Sequence, residues 1–435
     1  MRLFILTVLF LYVSLNSAAQ DTTIQLKIKY YTEKVEKYLD REKALSGFYL
    51  IDKDGIKMFA SANAKAAGKS EFKITWNKTN DLKLNLKDCS SSQVFENYKK
   101  GDYEKMIPCV PDINNLMDKK TNQQKLSGYK IAIDAGHTAG NIEMGEIEKK
   151  EVKFKRDSLN GLTDSISFAE GMLTFATAKL LKEKLEAEGA EVFMTRTFNG
   201  GSAFGVIFDD WLKTSYKNAI DSLSKIGEIT AEKKKWYLSS KCTKRDKFRL
   251  IFKDIELQKR GEIINRYHPD FTIIIHYNVD ETNVGWTKPG NKDFNMTFVG
   301  GAFMKNDLSS IDKRFEFIRL LVSDDLEKSI SLSSEVIKSF EKTLLVKTAT
   351  ATDAKYLRES CFPTSEKGVY CRNLQLTRFV HSPLVYGETL YQDNINECKL
   401  LNQESDKTKN KRVQQVAEAY FEGILNYLNL TANKN

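Results

Sequence analysis

The sequence YKIAIDAGHTAGN, residues Tyr129 to Asn141, decides the fold of this chain. Its apolar residues 131–133 lead into Asp134, followed by a short glycine-containing turn and His137. This pattern predicts a buried strand that delivers a histidine to the edge of a sheet. Ligands and chemistry collect at the carboxyl ends of strands in open α/β sheets, so His137 is a candidate functional residue. Whether His137 belongs to a functional site depends on which other candidate residues the chain contains.

Predicted strands and helices alternate from residue 126 onward, which is typical of an α/β layer fold. The segment FTIIIHYN, Phe271 to Asn278, is almost continuously apolar and predicts a central strand. A helix is predicted to begin at Ser167, after a charged segment, Glu143–Asn160, that is predicted to be a loop. The last strand is predicted at Pro383–Leu390. The predicted fold class is α/β, with a twisted, mostly parallel sheet and helices on both faces.

The N-terminus predicts a secretory signal peptide over residues 1–19. Arg2 supplies a positive charge, residues 3–15 are apolar, and residues 17–19 form a small-residue cleavage site. The apolar run is too short to favour a stable membrane span. We therefore expect a mature chain that begins at Gln20 and is exported, either to a periplasm or as a secreted protein.

Two further parts of the chain are set apart by their composition. Residues 20–125 predict a small, β-containing accessory region of unknown role. Strands are predicted there at 48–52, 56–60, 72–76 and 82–86, with a hairpin turn at Asp54–Gly55. Residues 126–435 form the α/β domain, interrupted by insertions at about 197–252 and 282–365. The first insertion, rich in aromatic residues and lysines, is predicted to be largely helical.

The charge and cysteine content narrow the range of partners. The net charge of +9 comes from 67 basic and 58 acidic residues. For an exported chain this favours an anionic envelope polymer over nucleic acid, because positive surface raises the local concentration of a negative substrate. A solvated lysine-rich surface is the alternative. The six cysteines are candidates for disulfides, and Cys361 and Cys371 are close enough in sequence to close a loop; buried free thiols are the other interpretation.

Three polar residues stand out from this scaffold: His137 after its strand, Glu170 in the first turn of the next helix, and His276 near the end of the central strand. Two histidines and a carboxylate are a common ligand set of catalytic Zn²⁺ sites. Each residue also has a structural explanation. Ser167 and Glu170 have the spacing of a capping box, and His276 could be a core histidine bonded to a carbonyl group.

Four sequence blocks occur in an order that resembles a known family: IAIDAGHTAGN, AEGMLTFATAKLLKEKLEAEGAEVFMTR, LQKRGEIINRYHPDFTIIIHYN and GVYCRNLQLTRFVHSPLVYGETLYQDN. Together they resemble the zinc-dependent N-acetylmuramoyl-L-alanine amidases of bacterial cell walls. The resemblance covers about Tyr129 to Leu428. It implies that His137, Glu170 and His276 bind zinc, and that Glu388 is the catalytic glutamate.

The position of Glu388 has some support from the residues themselves. Leu384, Tyr386 and Glu388 share one face of the predicted last strand, and Gly387 allows another group to approach closely. A carboxylate there costs free energy unless it is paired, protonated or near a metal. A salt-bridged structural glutamate is the alternative.

The chain departs from the family pattern at three positions, without losing any implied ligand. Ala135 stands where a proline is usual, Thr138 where a glycine is usual, and Thr174 where an asparagine is common. These departures concern the loop conformation and the fit of the substrate.

The resemblance implies a peptidoglycan hydrolase that cleaves the amide between N-acetylmuramic acid and L-alanine of the stem peptide. Two alternatives stay open: a zinc enzyme that cleaves another amide or peptide, and a catalytically silent wall-binding protein. Some relatives are held inactive by a segment over the zinc cleft, so the resemblance also implies an activator protein as a partner. Residues 197–252 are the candidate for such a lid, and a plain surface elaboration is the alternative.

Overall fold

The computed structural model describes residues 22–88, 91–105, 125–157, 159, 161–283 and 288–432. The predicted signal peptide and the residues Cys89 and Cys109 lie outside these ranges. Across the described ranges, no helix combines the length and the apolar character that a membrane crossing requires.

The strands of the described residues are numbered in chain order. They are β1 Tyr49–Asp52, β2 Gly55–Met58, β3 Phe72–Thr75, β4 Lys130–Ala135, β5 Glu151–Phe154, β6 Ile166–Ala169, β7 Glu191–Met194, β8 Phe271–Asn278, β9 Met296–Val299, β10 Phe362–Pro363, β11 Val369–Cys371 and β12 Leu384–Tyr391.

The helices are numbered in the same way, and π-helical turns follow α1 at Val35–Leu39 and α10 at Phe248–Phe252. They are α1 at residues 22–34, α2 Ala62–Ala66, α3 Thr79–Asp88, α4 Ser91–Lys99, α5 Ile142–Glu148, α6 Glu170–Ala187, α7 Phe208–Thr214, α8 Tyr216–Lys225, α9 Ala231–Tyr237, α10 Lys244–Lys247, α11 Lys253–Tyr267, α12 Ile311–Val322, α13 Asp325–Leu344, α14 Lys355–Glu359, α15 Gln375–Phe379, α16 Ile395–Asn402 and α17 Lys411–Ala432.

A seven-stranded sheet organises the α/β part, with the strand order β10-β11-β9-β12-β8-β4-β7. The pairs β12–β8, β8–β4 and β4–β7 are parallel, whereas β9 runs antiparallel to β12. Strand β8 lies between β4 and β12, and all of its residues are buried. The prediction of a central strand at Phe271–Asn278 is therefore confirmed.

Helices cover both faces of this sheet. On one face, Ile274 of β8 packs in an apolar cluster with Ile264 of α11. On the other face, Tyr277 of the same strand forms a hydrogen bond of 2.7 Å between its hydroxyl and that of Thr177 in α6. Because side chains alternate across a strand, these contacts lie on opposite faces. The predicted fold class, α/β with a mostly parallel sheet, is confirmed.

A separate compact unit comprises residues 1–117, 301–324 and 371–373, in so far as these are described. It contains a three-stranded sheet of order β1-β2-β3, and β1 and β2 form the hairpin predicted at Asp54–Gly55. The prediction of a strand at 82–86 is wrong, because α3 covers this segment. Leu82 and Leu86 are one helical turn apart and both line an apolar cavity, while Leu84 is exposed.

The segment Glu143–Asn160 also differs from the prediction of a loop. It forms α5, which Asn141 caps by accepting a hydrogen bond from the N–H of Met144, and then β5. Strand β5 pairs with β6 as an antiparallel two-stranded ribbon. High charge concealed both elements, since each buries only a few side chains.

The first insertion, residues 197–252, is helical as predicted and contains α7 to α10. Several of its aromatic residues form a buried cluster that includes Phe208, Trp211 and Phe252. Met144 and Ile147 of α5 pack against this cluster, and Arg245 donates a hydrogen bond of 2.9 Å to the carbonyl oxygen of Glu146. The insertion therefore braces α5.

The described cysteines are all buried thiols. Cys242, Cys361, Cys371 and Cys398 form no disulfide bond. The bond between Cys361 and Cys371 that the sequence allows is not formed.

Candidate metal centre

The loop after β4 places His137 at the carboxyl end of the parallel strands. His137 has φ of 61°, in the left-handed region, and the preceding Gly136 donates an N–H hydrogen bond of 2.9 Å to the carbonyl oxygen of Ile275. A Cβ atom on Gly136 would lie 2.3 Å from Cε1 of His276. Only glycine therefore lets this loop approach the second histidine.

Glu170 is the first residue of α6 and is fully buried. The predicted capping box is wrong, because Ser167 belongs to β6 and donates its N–H to Oδ1 of Asn402 instead. Ala169 is the N-cap and makes no side-chain capping bond. The Glu170 carboxylate is thus free of a capping role, and the positive end of the helix dipole favours its negative charge.

His276 lies on β8 beside the other two residues. Its Nδ1 is 3.1 Å from Oε1 of Glu170, so the interpretation as a core histidine bonded to a carbonyl group is not supported. Its ring stacks on Tyr386 of β12, with ring centroids 4.6 Å apart and planes 4° apart. The stacking fixes the orientation of the imidazole.

The distances from Glu170 to the two histidines are close to those between ligand atoms of a small divalent metal. One ligand atom from each of His137, Glu170 and His276 lies within 4.8 Å of the others. Oε1 of Glu170 is 3.2 Å from Nε2 of His137 and 3.1 Å from Nδ1 of His276. Zinc–ligand bonds of about 2.0–2.2 Å in a tetrahedron place ligand atoms roughly 3.3–3.6 Å apart. Nε2 of His137 is buried, and apart from this contact with Glu170 it has no hydrogen-bond partner among the described residues.

Charge coupling sets the protonation of these groups in the metal-free protein. Burial opposes a charge on His137, but the carboxylates of Glu170 and Glu148 outweigh it and raise its pKa to about 9. Burial lowers the pKa of His276 to about 4, which keeps this imidazole neutral. Burial also disfavours the Glu170 carboxylate, but His137 and Lys150 hold the pKa of Glu170 well below its usual range. The cluster therefore offers an ionised carboxylate and a neutral imidazole to a cation.

Glu148 orients His137 and was missed in the sequence. Its Oε1 lies 2.9 Å from Nδ1 of His137, while its Oε2 accepts hydrogen bonds of 3.2 and 3.1 Å from the N–H groups of Thr138 and Ala139. A carboxylate on the outer nitrogen of a metal-binding histidine fixes the tautomer and directs the other nitrogen at the metal. The residue lies at the end of α5, inside the segment predicted as a loop.

We expect Glu148→Gln to weaken zinc binding by about 10- to 100-fold, the usual cost of removing such an orienting partner. Dissociation constants from competition with a chromophoric chelator measure this. Glu146→Gln is the matched control, since Glu146 lies on the same helix and pairs with Lys153 at 2.7 Å. Equal affinities of the two variants would contradict the orienting role of Glu148.

The second oxygen of Glu170 has partners of its own. Oε2 lies 3.4 Å from Nζ of Lys150 and accepts a hydrogen bond of 3.1 Å from Nε2 of Gln392. Oε1 also accepts a hydrogen bond of 3.1 Å from the N–H of Tyr277. Lys150 and Gln392 were not identified in the sequence either. They lie 20 and 222 positions from Glu170, and neither forms a recognisable motif with it.

Two buried arginines stabilise the loop that carries His137 by donating hydrogen bonds to its backbone carbonyl oxygens. Arg260 of α11 donates to the carbonyl oxygens of Ala135 and His137, at 2.6 and 2.9 Å. Arg196 donates to the carbonyl oxygens of Ala135 and Gly136, at 2.9 and 3.2 Å. Burial and the nearby Arg260 lower the pKa of Arg196 to about 10.

The three departures from the family pattern lie in this loop and its support. Ala135 is buried and its carbonyl oxygen binds both arginines. Thr138 presents its N–H to Glu148, and the Thr174 hydroxyl donates a hydrogen bond of 2.6 Å to the carbonyl oxygen of Gly136. Thr174 thus supports the loop that carries His137.

Glu388 lies on β12, directly beside His276 in the parallel pairing with β8. Its side chain shares a face with Tyr386, whose ring stacks on His276. Gly387 faces the other way, and a Cβ atom there would lie 2.0 Å from the hydroxyl of Tyr420. The sequence predicted that Gly387 lets another group approach closely, and the Tyr420 hydroxyl is that group. Burial opposes the positive charge of Lys150, but the nearby carboxylates outweigh it and raise the pKa of Lys150. Glu170 has the larger effect and Glu388 the smaller one.

Part of this site lies in a segment that matches a known family of proteins. Residues 231–426 match the family described as N-acetylmuramoyl-L-alanine amidase. The matched span contains His276 and Glu388, whereas His137 and Glu170 precede it. No curated protein sequence matches the chain.

Several solved structures are similar to this chain at low sequence identity. The CwlD amidase from Clostridioides difficile, in complex with the GerS lipoprotein, is 17% identical, with 70% of this chain and 100% of that chain covered and a TM-score of 0.38. An N-acetylmuramoyl-L-alanine amidase from Clostridium difficile 630 is 15% identical, with 69% and 97% covered and a TM-score of 0.36. The catalytic domain of CwlV from Bacillus (Paenibacillus) polymyxa var. colistinus is 14% identical, with 69% and 98% covered and a TM-score of 0.36. The family match at residues 231–426 covers two of the four sequence blocks that carry the resemblance, those with His276 and Glu388.

Proposed function

We propose that this protein is an exported, zinc-dependent peptidoglycan amidase. It hydrolyses the amide that joins the lactyl group of N-acetylmuramic acid to L-alanine of the stem peptide. The observation that carries this proposal is the cluster of His137, Glu170 and His276 at the carboxyl end of the parallel strands, in which Glu170 and His276 are buried. The family match over residues 231–426 supports the choice of substrate.

In this proposal, Nε2 of His137, Oε1 of Glu170 and Nδ1 of His276 hold the metal. When bound, zinc supplies Lewis-acid polarisation of the scissile carbonyl group and acidifies the attacking water. Glu148 and the stacked ring of Tyr386 keep the two imidazoles in their binding orientation.

Glu388 is the general base and then the general acid. Its carboxylate takes a proton from the attacking water as the C–O bond forms, and returns that proton to the leaving amine as the C–N bond breaks. The products are a free lactyl carboxylate on the glycan and a stem peptide with a free L-alanine amino group. Oxygen and protons balance, with one water consumed per amide.

Two further parts of the proposal concern location and control. Residues 1–19 would direct export, which brings the enzyme to its substrate. An activator protein would act through the insertion at 197–252, because this insertion packs against α5, the helix that ends with Glu148. The accessory region and the basic surface would contribute to holding the anionic wall polymer.

The test is hydrolysis of purified sacculi by the chain from Gln20 onward, with zinc added. We expect soluble stem peptides with a free L-alanine amino terminus, identified by mass spectrometry, and no release by His276→Ala. His381→Ala is the matched control and should retain activity, because His381 lies outside the cluster.

Other outcomes separate the alternatives. Cleavage at another amide would indicate a different zinc hydrolase, and stoichiometric zinc with no hydrolysis would indicate a silent wall-binding protein. A rate that rises when exported proteins from the source organism are added would indicate an activator. Full activity of His276→Ala would contradict the mechanism.

A further inference from the structure

The β5–β6 ribbon places a lysine directly opposite a proposed metal ligand. Glu151 pairs with Ala169, and the next pair along the ribbon is Lys150 and Glu170, since the N–H of Glu170 donates a hydrogen bond of 2.8 Å to the carbonyl oxygen of Lys150. The Lys150 side chain then returns to the same residue, with Nζ 3.4 Å from Oε2 of Glu170. Backbone pairing therefore holds this ammonium beside the cluster.

The start of Lys150 is fixed as well. Lys149 ends α5 in the left-handed conformation, with φ of 58°, and the N–H of Lys150 donates a hydrogen bond of 2.9 Å to the carbonyl oxygen of Gly145. One short turn therefore delivers Glu148 to His137 and, two residues later, Lys150 to Glu170.

The two oxygens of Glu170 divide their partners. Oε1 faces the two histidines, and Oε2 faces Lys150 and Gln392. The N–H of Tyr277 and the amide of Gln392 would still orient the carboxylate if Lys150 were replaced by an uncharged residue. What Lys150 adds to these contacts is a positive charge.

That charge has opposite effects on the two states of the site. In the metal-free protein it offsets the negative charge of Glu170, and of the neighbouring Glu148 and Glu388 with which it interacts electrostatically. With a divalent cation held by His137, Glu170 and His276, the ammonium would lie near a second positive charge, and like charges repel each other.

We propose that Lys150 is a built-in counter-cation of the metal site, which stabilises the empty ligand set and lowers its affinity for zinc. This role rests on one part of the proposed function, namely that His137, Glu170 and His276 bind the metal. Lys150 is accordingly a charge-balancing residue, and its role is independent of which amide is cleaved.

The experiment compares Lys150→Met, Lys150→Arg and the wild-type chain in two measurements. One is the zinc dissociation constant from competition with a chromophoric chelator, and the other is the thermal midpoint of the metal-free protein. We expect Lys150→Met to bind zinc on the order of tenfold more tightly, because a nearby positive charge is removed. We expect the same variant to have a lower thermal midpoint without metal.

The controls separate charge from packing. Lys150→Arg keeps the charge and should keep wild-type affinity. Lys149→Met removes an exposed lysine one residue away and should leave the affinity unchanged. Lys150→Gln provides a second uncharged variant if the methionine variant does not fold.

The failure of this inference is distinguishable from the failure of the proposed function. A wild-type chain that binds no zinc would overturn the metal site and this role together. Zinc binding by the wild-type chain with unchanged or weaker binding by both uncharged variants would overturn the role of Lys150 alone, and weaker binding would show that Lys150 instead orients Glu170.

Discussion

Glu388→Gln is expected to lose about 100- to 10,000-fold in the rate of sacculus hydrolysis, the usual contribution of a general acid–base residue. The amide of glutamine has nearly the same shape but does not take a proton from water. Zinc binding should be unchanged, because Glu388 is not among the three clustered ligand residues. This is the largest effect on activity that we expect from a single substitution that leaves the metal in place.

The structural argument for Glu388 is its position beside His276. The two residues are direct neighbours in the β12–β8 pairing, and Glu388 shares its strand face with the tyrosine that stacks on His276. Nζ of Lys150 lies 3.4 Å from Oε2 of Glu170, and the Glu388 carboxylate also contributes to raising the pKa of Lys150.

The measurement is stem-peptide release per bound zinc, with Glu404→Gln as the matched control on an exposed glutamate. Activity of Glu388→Gln within a few-fold of the wild-type rate, at equal zinc content, would rule out the general-base role. Loss of zinc together with activity would instead make Glu388 part of the metal site.

Arg260→Met is expected to cost about 3–5 kcal/mol of unfolding free energy, as is usual when one partner of a buried ion pair is removed. Arg260 is 1% exposed and lies between two carboxylates, 3.1 Å from Asp134 and 2.7 Å from Glu256. Both carboxylates are buried and would lose their guanidinium partner. The carbonyl oxygens of Ala135 and His137 would lose a donor at the same time.

Urea unfolding of the metal-free protein measures this effect. Arg266→Met is the matched control, because Arg266 lies on the same helix with an exposed side chain. Arg260→Lys keeps the charge without the planar fork and should fall between the two. A loss below about 1 kcal/mol for Arg260→Met, the range of exposed ion pairs, would contradict the importance of this network.

Hydrophobic pattern predicted the sheet well because its strands bury most of their residues. The apolar run Phe271–Asn278 is the central strand, and a hairpin turn occurs where Asp54–Gly55 predicted one, between the paired residues Asp52 and Gly55. The hydrophobic pattern failed for α5 and β5, which bury few side chains and were predicted as a loop. It also failed at residues 82–86, because the leucines there satisfy helical as well as strand spacing.

The residues of the candidate site also divide into those that the sequence predicted and those that it did not. His137, Glu170 and His276 could be named in advance because each lies at the start or the end of a recognisable element, and the structure brings them into one cluster. Glu148, Lys150 and Gln392 could not, since their partners are fixed by long-range folding and a charged side chain in a charged segment gives no signal. Their roles, and that of Glu388, are predictions for the experiments above.

The wide spacing of these residues along the chain has a consequence for when metal can be acquired. The cluster needs β4, the start of α6 and β8, and β8 is enclosed by β12, which lies more than a hundred residues later in the chain. Pairing between such distant segments forms late and as a unit, because loop closure precedes the gain from contact. A shorter nascent fragment therefore has the ligand residues without their geometry. If the chain crosses a membrane unfolded and binds zinc as proposed, it would arrive without zinc and take up the metal at its destination, so the metal supply outside the cytoplasm would set the fraction of active enzyme.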